Sequence, residues 1–278
     1  RVPPGIMRAE EAVRRDKWDL RAWKDILQHG SHPSTPSGWS RIQFEKFLEV
    51  FPTSALYWRE YIEYEIRQCN FSHVETLFGR CLLECPDIEL WKTYIKYIRV
   101  VKKGKADEAI EVSKAYEFVL KHLGVDYGAG DVWEEYLEIV KGEKAENSYE
   151  IDEKRDRLRK IYQRAICLPI HNVEKLWKDY DVYEHSHDSK TLAATLMSAF
   201  HPRYMKAKQE ARERSRRFQG IHVYMLAVPP SVDLRPGEDD QLFAWRRYID
   251  FEANVKTTTN DNRRGQNRDT IQGPPLPP

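Results

Sequence analysis

Residues 56–65 read LYWREYIEYE. Trp58, Tyr61, Ile62 and Glu65 stand at offsets 0, +3, +4 and +7, which is one face of an α-helix. The face is unusual because it sets a carboxylate in line with two large aromatics. Whether it is an accident or a building rule depends on recurrence.

It recurs. Trp91, Tyr94 and Ile95 repeat the pattern, as do Trp133, Tyr136 and Leu137, then Trp177 and Tyr180, then Trp245, Tyr248 and Ile249. Trp23, Ile26 and Leu27 form a weaker copy. The carboxylate at +7 returns as Glu184 and Glu252, while Ile98, Val140 and Gly30 hold that place in the other copies. The Trp residues of these copies, at 23, 58, 91, 133, 177 and 245, lie 35, 33, 42, 44 and 68 residues apart. The first two spacings suit a helix–turn–helix repeat of about 34 residues, and the later ones require longer loops or extra helices.

Each interval carries a second helical signal. Phe44 leads to Pro52, Phe78 and Arg80 to Pro86, Tyr116 to Gly124, and Tyr162 and Arg164 to Pro169. Pro cannot continue a helix and Gly favours its C-terminal turn. Asp19, Ser54, Asp87, Asn172, Asp240 and Asp131 precede their Trp residues by two to five positions and are expected to cap helix A. The unit is thus a cap, an aromatic helix A, a loop, an aromatic helix B and a stop. The stripe is the surface on which helix A packs against its own helix B and the next unit. A buried Glu65 needs a hydrogen-bond donor, and Arg80 or a tyrosine of the partner helix is expected to supply it.

Composition agrees. The chain has 278 residues, with 41% hydrophobic and 12% aromatic residues and only 13 Gly, which suits packed helices. Its 45 basic and 44 acidic side chains nearly cancel, so any nucleic-acid role must rest on a local patch. No apolar run approaches the roughly 20 residues of a membrane span, and no signal peptide is visible. Cys69, Cys81, Cys85 and Cys167 have no paired spacing and read as free thiols.

Little points to chemistry. Cys81 and Cys85 lack further ligands at metal spacing, with His73 the nearest candidate, and read as structural. His185 and His187 read as a surface pair. The glycines of GVDYGAGD (124–131) lack a following Lys-Ser/Thr and read as a linker. No nucleophile–base constellation stands out, so no enzyme and no cofactor are expected. The segment RYMKAKQEARERSRR (203–217) carries Arg203, Lys206, Lys208, Arg212, Arg214, Arg216 and Arg217 against Glu210 and Glu213. It could contact RNA phosphates or an acidic partner. The plainer reading is a solvated helix face with Tyr204, Ala207 and Ala211 packed inward, begun or kinked by Pro202.

The Trp, Tyr and Glu of helix A, with the aromatic, Arg and Pro of helix B, resemble the HAT (half-a-TPR) repeat rather than an ordinary tetratricopeptide repeat. The bulky Ile62, Ile95 and Leu137 stand where the latter prefers small residues. The stretches at 51–66 (FPTSALYWREYIEYEI), 77–99 (LFGRCLLECPDIELWKTYIKYIR) and 161–184 (IYQRAICLPIHNVEKLWKDYDVYE), in that order, resemble the suppressor-of-forked family, the HAT-repeat subunits of cleavage stimulation factor. The likeness runs from about Asp19 to Glu252 and includes a long loop at 141–154 (KGEKAENSYEIDEK).

The resemblance implies an all-α, right-handed α-α superhelix (solenoid) of HAT/TPR-like helix pairs. A leading helix or cap would occupy 1–18 and about five repeats 19–237. The first helix of a sixth repeat would occupy 238–254, and a disordered tail 255–278. It also implies a nuclear scaffold of pre-mRNA 3′-end cleavage and polyadenylation. That scaffold would bridge cleavage stimulation factor subunits and the polyadenylation specificity factor, with mRNA contacted mostly through other subunits. The family dimerises through a C-terminal half that the likeness does not reach, so it extends no homodimer to this chain. The alternatives are a HAT scaffold of the spliceosome or of ribosome assembly, and a direct RNA-binding module using 203–217.

Overall fold

Asp19 shows how these helices begin. Its Oδ1 accepts from the backbone N–H groups of Arg21 and Ala22, satisfying two donors that the first turn leaves open. Asp87 does the same for Leu90. In a computed structural model, residues 3–32, 35–105, 107–145, 147–187, 190–229 and 237–269 are described, with side chains described up to Asn254 except that of His187.

Twelve α-helices run through the described residues, with no strand among them. They are α1 (Pro4–Arg15), α2 (Leu20–Gly30), α3 (Ser37–Val50), α4 (Ala55–Arg67), α5 (Phe71–Cys81) and α6 (Ile88–Lys102). Next come α7 (Glu108–Leu123), α8 (Gly130–Gly142), α9 (Ser148–Ala165), α10 (Val173–His187), α11 (Lys190–Phe218) and α12 (Glu238–Asp269). Every repeated Trp falls on the first helix of a pair: α2, α4, α6, α8, α10 and α12.

The chain forms two compact units. The first holds the described residues up to Arg212 together with Tyr224–Pro229. Within it most helices pack on their sequence neighbours, α5 and α6 meet through Phe78 and Tyr94, α10 and α11 through Trp177 and Tyr204, and α4 also packs on α6, so here helix A meets the next helix A. This nearest-neighbour order is that of a solenoid, and the all-α class expected from the sequence is what folds. One continuous core runs through the unit. It is built largely from the stripe residues, with Ile62, Trp91, Trp133 and Tyr180 almost wholly removed from water.

The second unit holds Glu213–Val223 and the described residues after Pro229. The division falls inside α11, where the last turn of this 29-residue helix pairs with α12. Phe218 meets Tyr248 edge-on at 5.5 Å, and Gln241 bonds the backbone at Gly220 and His222.

Several local expectations need correction. The proposed long loop at 141–154 is mostly helix. Asn147 caps α9 through Glu150 N–H, and Lys154 reaches back to the carbonyls of Lys141 and Glu143. Ser54 stands at the N-cap of α4 without a side-chain bond, while Asp131 and Asp240 lie inside their helices. The amide of Asn172 is spent on Glu134, so it donates to a neighbouring repeat. Pro202 does not start α11 but lies inside it, so of the two roles expected for it the helix start is not what folds. α12 extends to Asp269, and residues 270–278 of the expected tail lie outside the described residues.

Candidate functional site

The repeat positions were the main candidate residues, and the structure shows what each one holds. The indole comes first. Trp23 Nε1–H donates to Lys17 O at 2.9 Å, Trp58 to Pro52 O at 2.8 Å and Trp91 to Cys85 O at 3.2 Å, each six residues back. Trp133 reaches Gly124 O at 3.0 Å, nine residues back. Each acceptor is a carbonyl of the turn that enters helix A. The ring fills the core and its N–H fastens one unit to the end of the last, which neither Phe nor Leu could do.

The helix A tyrosine takes the second contact. The aromatic of each helix B packs on the tyrosine of the next helix A: Phe44 on Tyr61 at 4.8 Å, Phe78 on Tyr94 at 5.3 Å, Tyr116 on Tyr136 at 5.4 Å and Tyr162 on Tyr180 at 5.7 Å. Burial holds these hydroxyls protonated. Tyr136 and Tyr180 are both pushed up to about 12.

Glu65 is wholly buried, as expected, but its partner is not Arg80. Arg41 of α3 donates from Nε at 2.7 Å and from Nη2 at 2.8 Å, and Asn70 Nδ2 adds a third bond at 3.0 Å. Arg41 lies on helix B of the preceding repeat, one turn before Phe44. Arg80 lies two residues beyond its own helix aromatic and points to the other side. Glu184 repeats the arrangement. It too is wholly buried and receives Arg159 of α9 at 2.9 and 3.0 Å. Glu252 receives Arg214 at 3.1 Å and the Tyr248 hydroxyl at 3.0 Å.

Arg80 and Arg164 serve a different joint. Arg80 donates twice to Glu45 of the preceding helix B, at 2.8 and 2.9 Å, and its guanidinium lies 5.0 Å from the centre of the Trp58 ring. Arg164 binds Glu117 at 2.9 Å and lies 5.1 Å over Trp133. The Arg80 guanidinium holds the Glu45 carboxyl below the usual carboxylate range. Each clasp joins three helices, with the cation resting on the indole face.

Pro86 and Pro169 lie in the turns after α5 and α9, as their role as stops requires. Trp177 packs face to face with Tyr204 of α11 at 4.4 Å. Trp245 is half-buried on α12.

The basic segment lies on α11 with Tyr204, Ala207 and Ala211 buried, and its cations are engaged. Lys208 and Arg212 share Glu174 at 3.0 and 2.8 Å, and Arg214 holds Glu252. Lys206 and Arg216 pair along their own helix with Glu210 and Glu213. Arg203 lies over Phe200 and Arg217 over Phe251.

Cys81 and Cys85 are buried, with thiols pushed up to about 12 and about 11, first by burial. Among the described residues no three His, Cys, Asp or Glu gather as a metal site would require. His185 pairs with Asp181 on its own helix, and the side chain of His187 lies outside the described residues. The glycine-rich linker forms a short 3-10 turn, Tyr127–Ala129, ahead of α8. A Cβ on Gly130 would come within 2.1 Å of Asn172 Oδ1, so that glycine lets two adjacent turns touch. No described helix is long and apolar enough to cross a membrane.

Comparison with known proteins agrees with this architecture. A family model described as suppressor of forked protein (Suf) matches residues 5–271. Cleavage stimulation factor subunit 77 of Arabidopsis thaliana is 38% identical over 239 residues, which is 85% of this chain and 32% of the plant protein. Protein suppressor of forked of Drosophila melanogaster is 32% identical over 257 residues, 92% of this chain and 33% of the fly protein. mRNA 3′-end-processing protein rna14 of Schizosaccharomyces pombe is 34% identical over 230 residues, 81% of this chain and 31% of the yeast protein. The chain therefore spans about a third of the length of these relatives. A solved structure titled as the crystal structure of CstF-77 shares the fold, with a TM-score of 0.53 at 22% identity over 70% of this chain and 43% of that one.

Proposed function

Because this chain belongs to the suppressor-of-forked family, we propose that it acts as a non-catalytic scaffold in nuclear pre-mRNA 3′-end processing. Its relatives in plant, fly and yeast carry names from that process or from the family itself. The finer reading is that the helix-pair array joins other cleavage stimulation factor subunits to the polyadenylation specificity factor through its exposed faces.

The observation that carries the scaffold reading is how the candidate residues are used. Trp58, Tyr61, Glu65, Arg80 and their counterparts are occupied in fastening one repeat to the next. Of the cations of 203–217, Lys208, Arg212 and Arg214 reach glutamates of other helices, while Arg203, Lys206 and Arg216 contact residues of their own helix. An array stiffened like this presents a fixed, extended surface to protein partners. It leaves RNA contact to other subunits.

A tagged chain recovered from nuclear extract tests the assignment. Co-recovery of polyadenylation specificity factor subunits is the expected result. Recovery of splicing or ribosome-assembly factors instead would keep the fold and overturn the pathway. Salt-dependent RNA retention lost on Arg/Lys→Ala changes in 203–217 would replace the scaffold with an RNA-binding module.

A further inference from the structure

The repeat departs furthest from its own rules at the joint between α5 and α7 over α6. Three positions differ there together. The Arg that lies one turn before the helix B aromatic, Arg41 and Arg159 elsewhere, is Glu75. The Glu that follows the aromatic, Glu45 and Glu117 elsewhere, is Gly79. The Arg that covers the indole, Arg80 and Arg164 elsewhere, is Phe118, which stacks on Trp91 at 5.3 Å. The buried carboxylate at +7 is also missing, with Ile98 in its place. In repeat five an aromatic, Tyr204, likewise covers the Trp, but Lys208 lies over it and binds Glu174. Among the described residues, the joint at α6 combines an aromatic stacked on its Trp with the loss of both charged clasps; the joint at α2 lacks the clasps too, but there Phe47 meets Trp23 edge-on and the groove keeps Lys46 and Glu49.

These four substituted residues line one groove. It has a volume of about 360 Å³, and Phe78, Leu82, Leu83 and Tyr94 complete much of its apolar wall. A Cβ on Gly79 would meet nothing within 4 Å, so the missing side chain leaves open space where the other joints have a bridge. Leu83 at 69% and Phe118 at 36% are exposed beside it. Glu75 is the single charged residue of the lining. It accepts a hydrogen bond from the Tyr97 hydroxyl at 3.2 Å, and among the described residues no cation pairs with it.

We propose that this groove between α5, α6 and α7 is a docking site for a short segment of a partner protein that presents a bulky apolar side chain beside a Lys or Arg. The apolar side chain fills the space over Gly79 and Phe118, and the cation meets Glu75, where the sister joints carry an Arg of the array itself. The carboxylate sets the sign of the partner and turns away phosphate, so the surface suits a basic-apolar peptide rather than RNA. The inference goes beyond the pathway assigned above and stands whichever machine the scaffold serves.

The test uses the purified full chain and random short peptides displayed on phage. Panning is counter-selected with a Gly79→Glu/Phe118→Arg variant, which rebuilds the clasp of the sister joints and fills the groove. Helicity and thermal melting establish that this variant folds. Selected peptides should share an apolar residue next to Lys or Arg. In fluorescence anisotropy they should bind the wild-type chain at least about tenfold more tightly than the variant. A Glu75→Lys chain, which leaves the apolar wall intact, should lose these peptides and favour acidic analogues. Failure to enrich any peptide, equal binding to chain and variant, or indifference to Glu75→Lys would overturn the proposal. So would self-association of the chain that the variant abolishes, since the occupant would then be a second copy.

Discussion

Arg41→Ala should destabilise the protein more than Glu65→Gln, although both break the same pair. The asymmetry follows from exposure. Glu65 has no access to water, whereas the Arg41 side chain is 37% exposed. Glu65 accepts three hydrogen bonds, two of them from Arg41. Removing Arg41 leaves a buried carboxylate held by Asn70 alone, a change that costs about 3–5 kcal/mol. Removing the charge of Glu65 frees a guanidinium that can turn to solvent. That loss is about 1–2 kcal/mol, the net worth of hydrogen bonds to a charged group.

The array contains its own control. Ser113 and Val140 hold the corresponding positions two joints along. A double variant, Arg41→Ser with Glu65→Val, copies them and should recover most of what Arg41→Ala loses, because no charge is left stranded. Urea unfolding followed by tryptophan fluorescence and far-UV circular dichroism reads all four proteins. For a chain of this size Arg41→Ala should lower the melting temperature by roughly 6–20 °C. A loss below about 1 kcal/mol for Arg41→Ala, or a larger loss for Glu65→Gln, would refute the account of a buried carboxylate dependent on one arginine.

Further outcomes follow from single contacts. Trp58→Phe keeps most of the ring but leaves Pro52 O with only the weak Cys85 thiol as donor, and should cost about 1–2 kcal/mol, against about 3–5 for Trp58→Ala, measured by the same unfolding curves. Cys69 closes α4 with φ +56°, its N–H on Ile66 O and the next N–H on Glu65 O, so Cys69→Gly should stabilise by about 1 kcal/mol. Glu45 and Asp131 sit below the usual carboxylate range, chiefly through Arg80 and Lys92; their contribution is present above that range and should fade as pH falls through and below it, seen as a declining melting temperature. Tyr97, Tyr136 and Tyr180 are each raised to about 12, so their contribution holds below the ordinary tyrosine range and is lost as pH climbs above it, read by tyrosinate absorbance. In the native chain a maleimide should label exposed Cys69 long before Cys81 or Cys85, and equal rates would contradict their burial.

The sequence made the register of this fold plain because the Trp-x-x-Tyr/Ile stripe recurs. Each Trp of a stripe marks a helix A, and the aromatic after the stripe marks a helix B. The ion pairs were harder to read because each joins helices of different repeats. Arg80 looked the natural partner for Glu65 only because the family pattern sets them in one unit. The usable signal was a covariation inside the chain. Arg41 comes with Glu65 and Arg159 with Glu184, while Glu75 comes with Ile98 and Ser113 with Val140. The run at 141–154 looked like a loop because a helix solvated on most sides carries no apolar stripe, and only the Asn147 cap gives its start away. Charge counting likewise could not tell engaged cations from available ones on α11, since their partners lie up to 38 residues away.

A repeated contact can build an array but cannot mark a place along it. Every joint with an Arg–Glu clasp over its Trp offers an incoming chain nearly the same surface, so recognition there would have no fixed register. A partner that must bind at one position needs a joint that differs from its neighbours. At α6 the array gives up two charged clasps and covers Trp91 with Phe118 instead. Those clasps contribute to stability elsewhere, and losing both at one joint leaves an open apolar surface that water covers unfavourably. Packing alone gives no reason for Gly79 to leave the space empty, since a side chain there would meet no neighbour. The joint that fits the repeat least is therefore the part of this surface best suited to a partner.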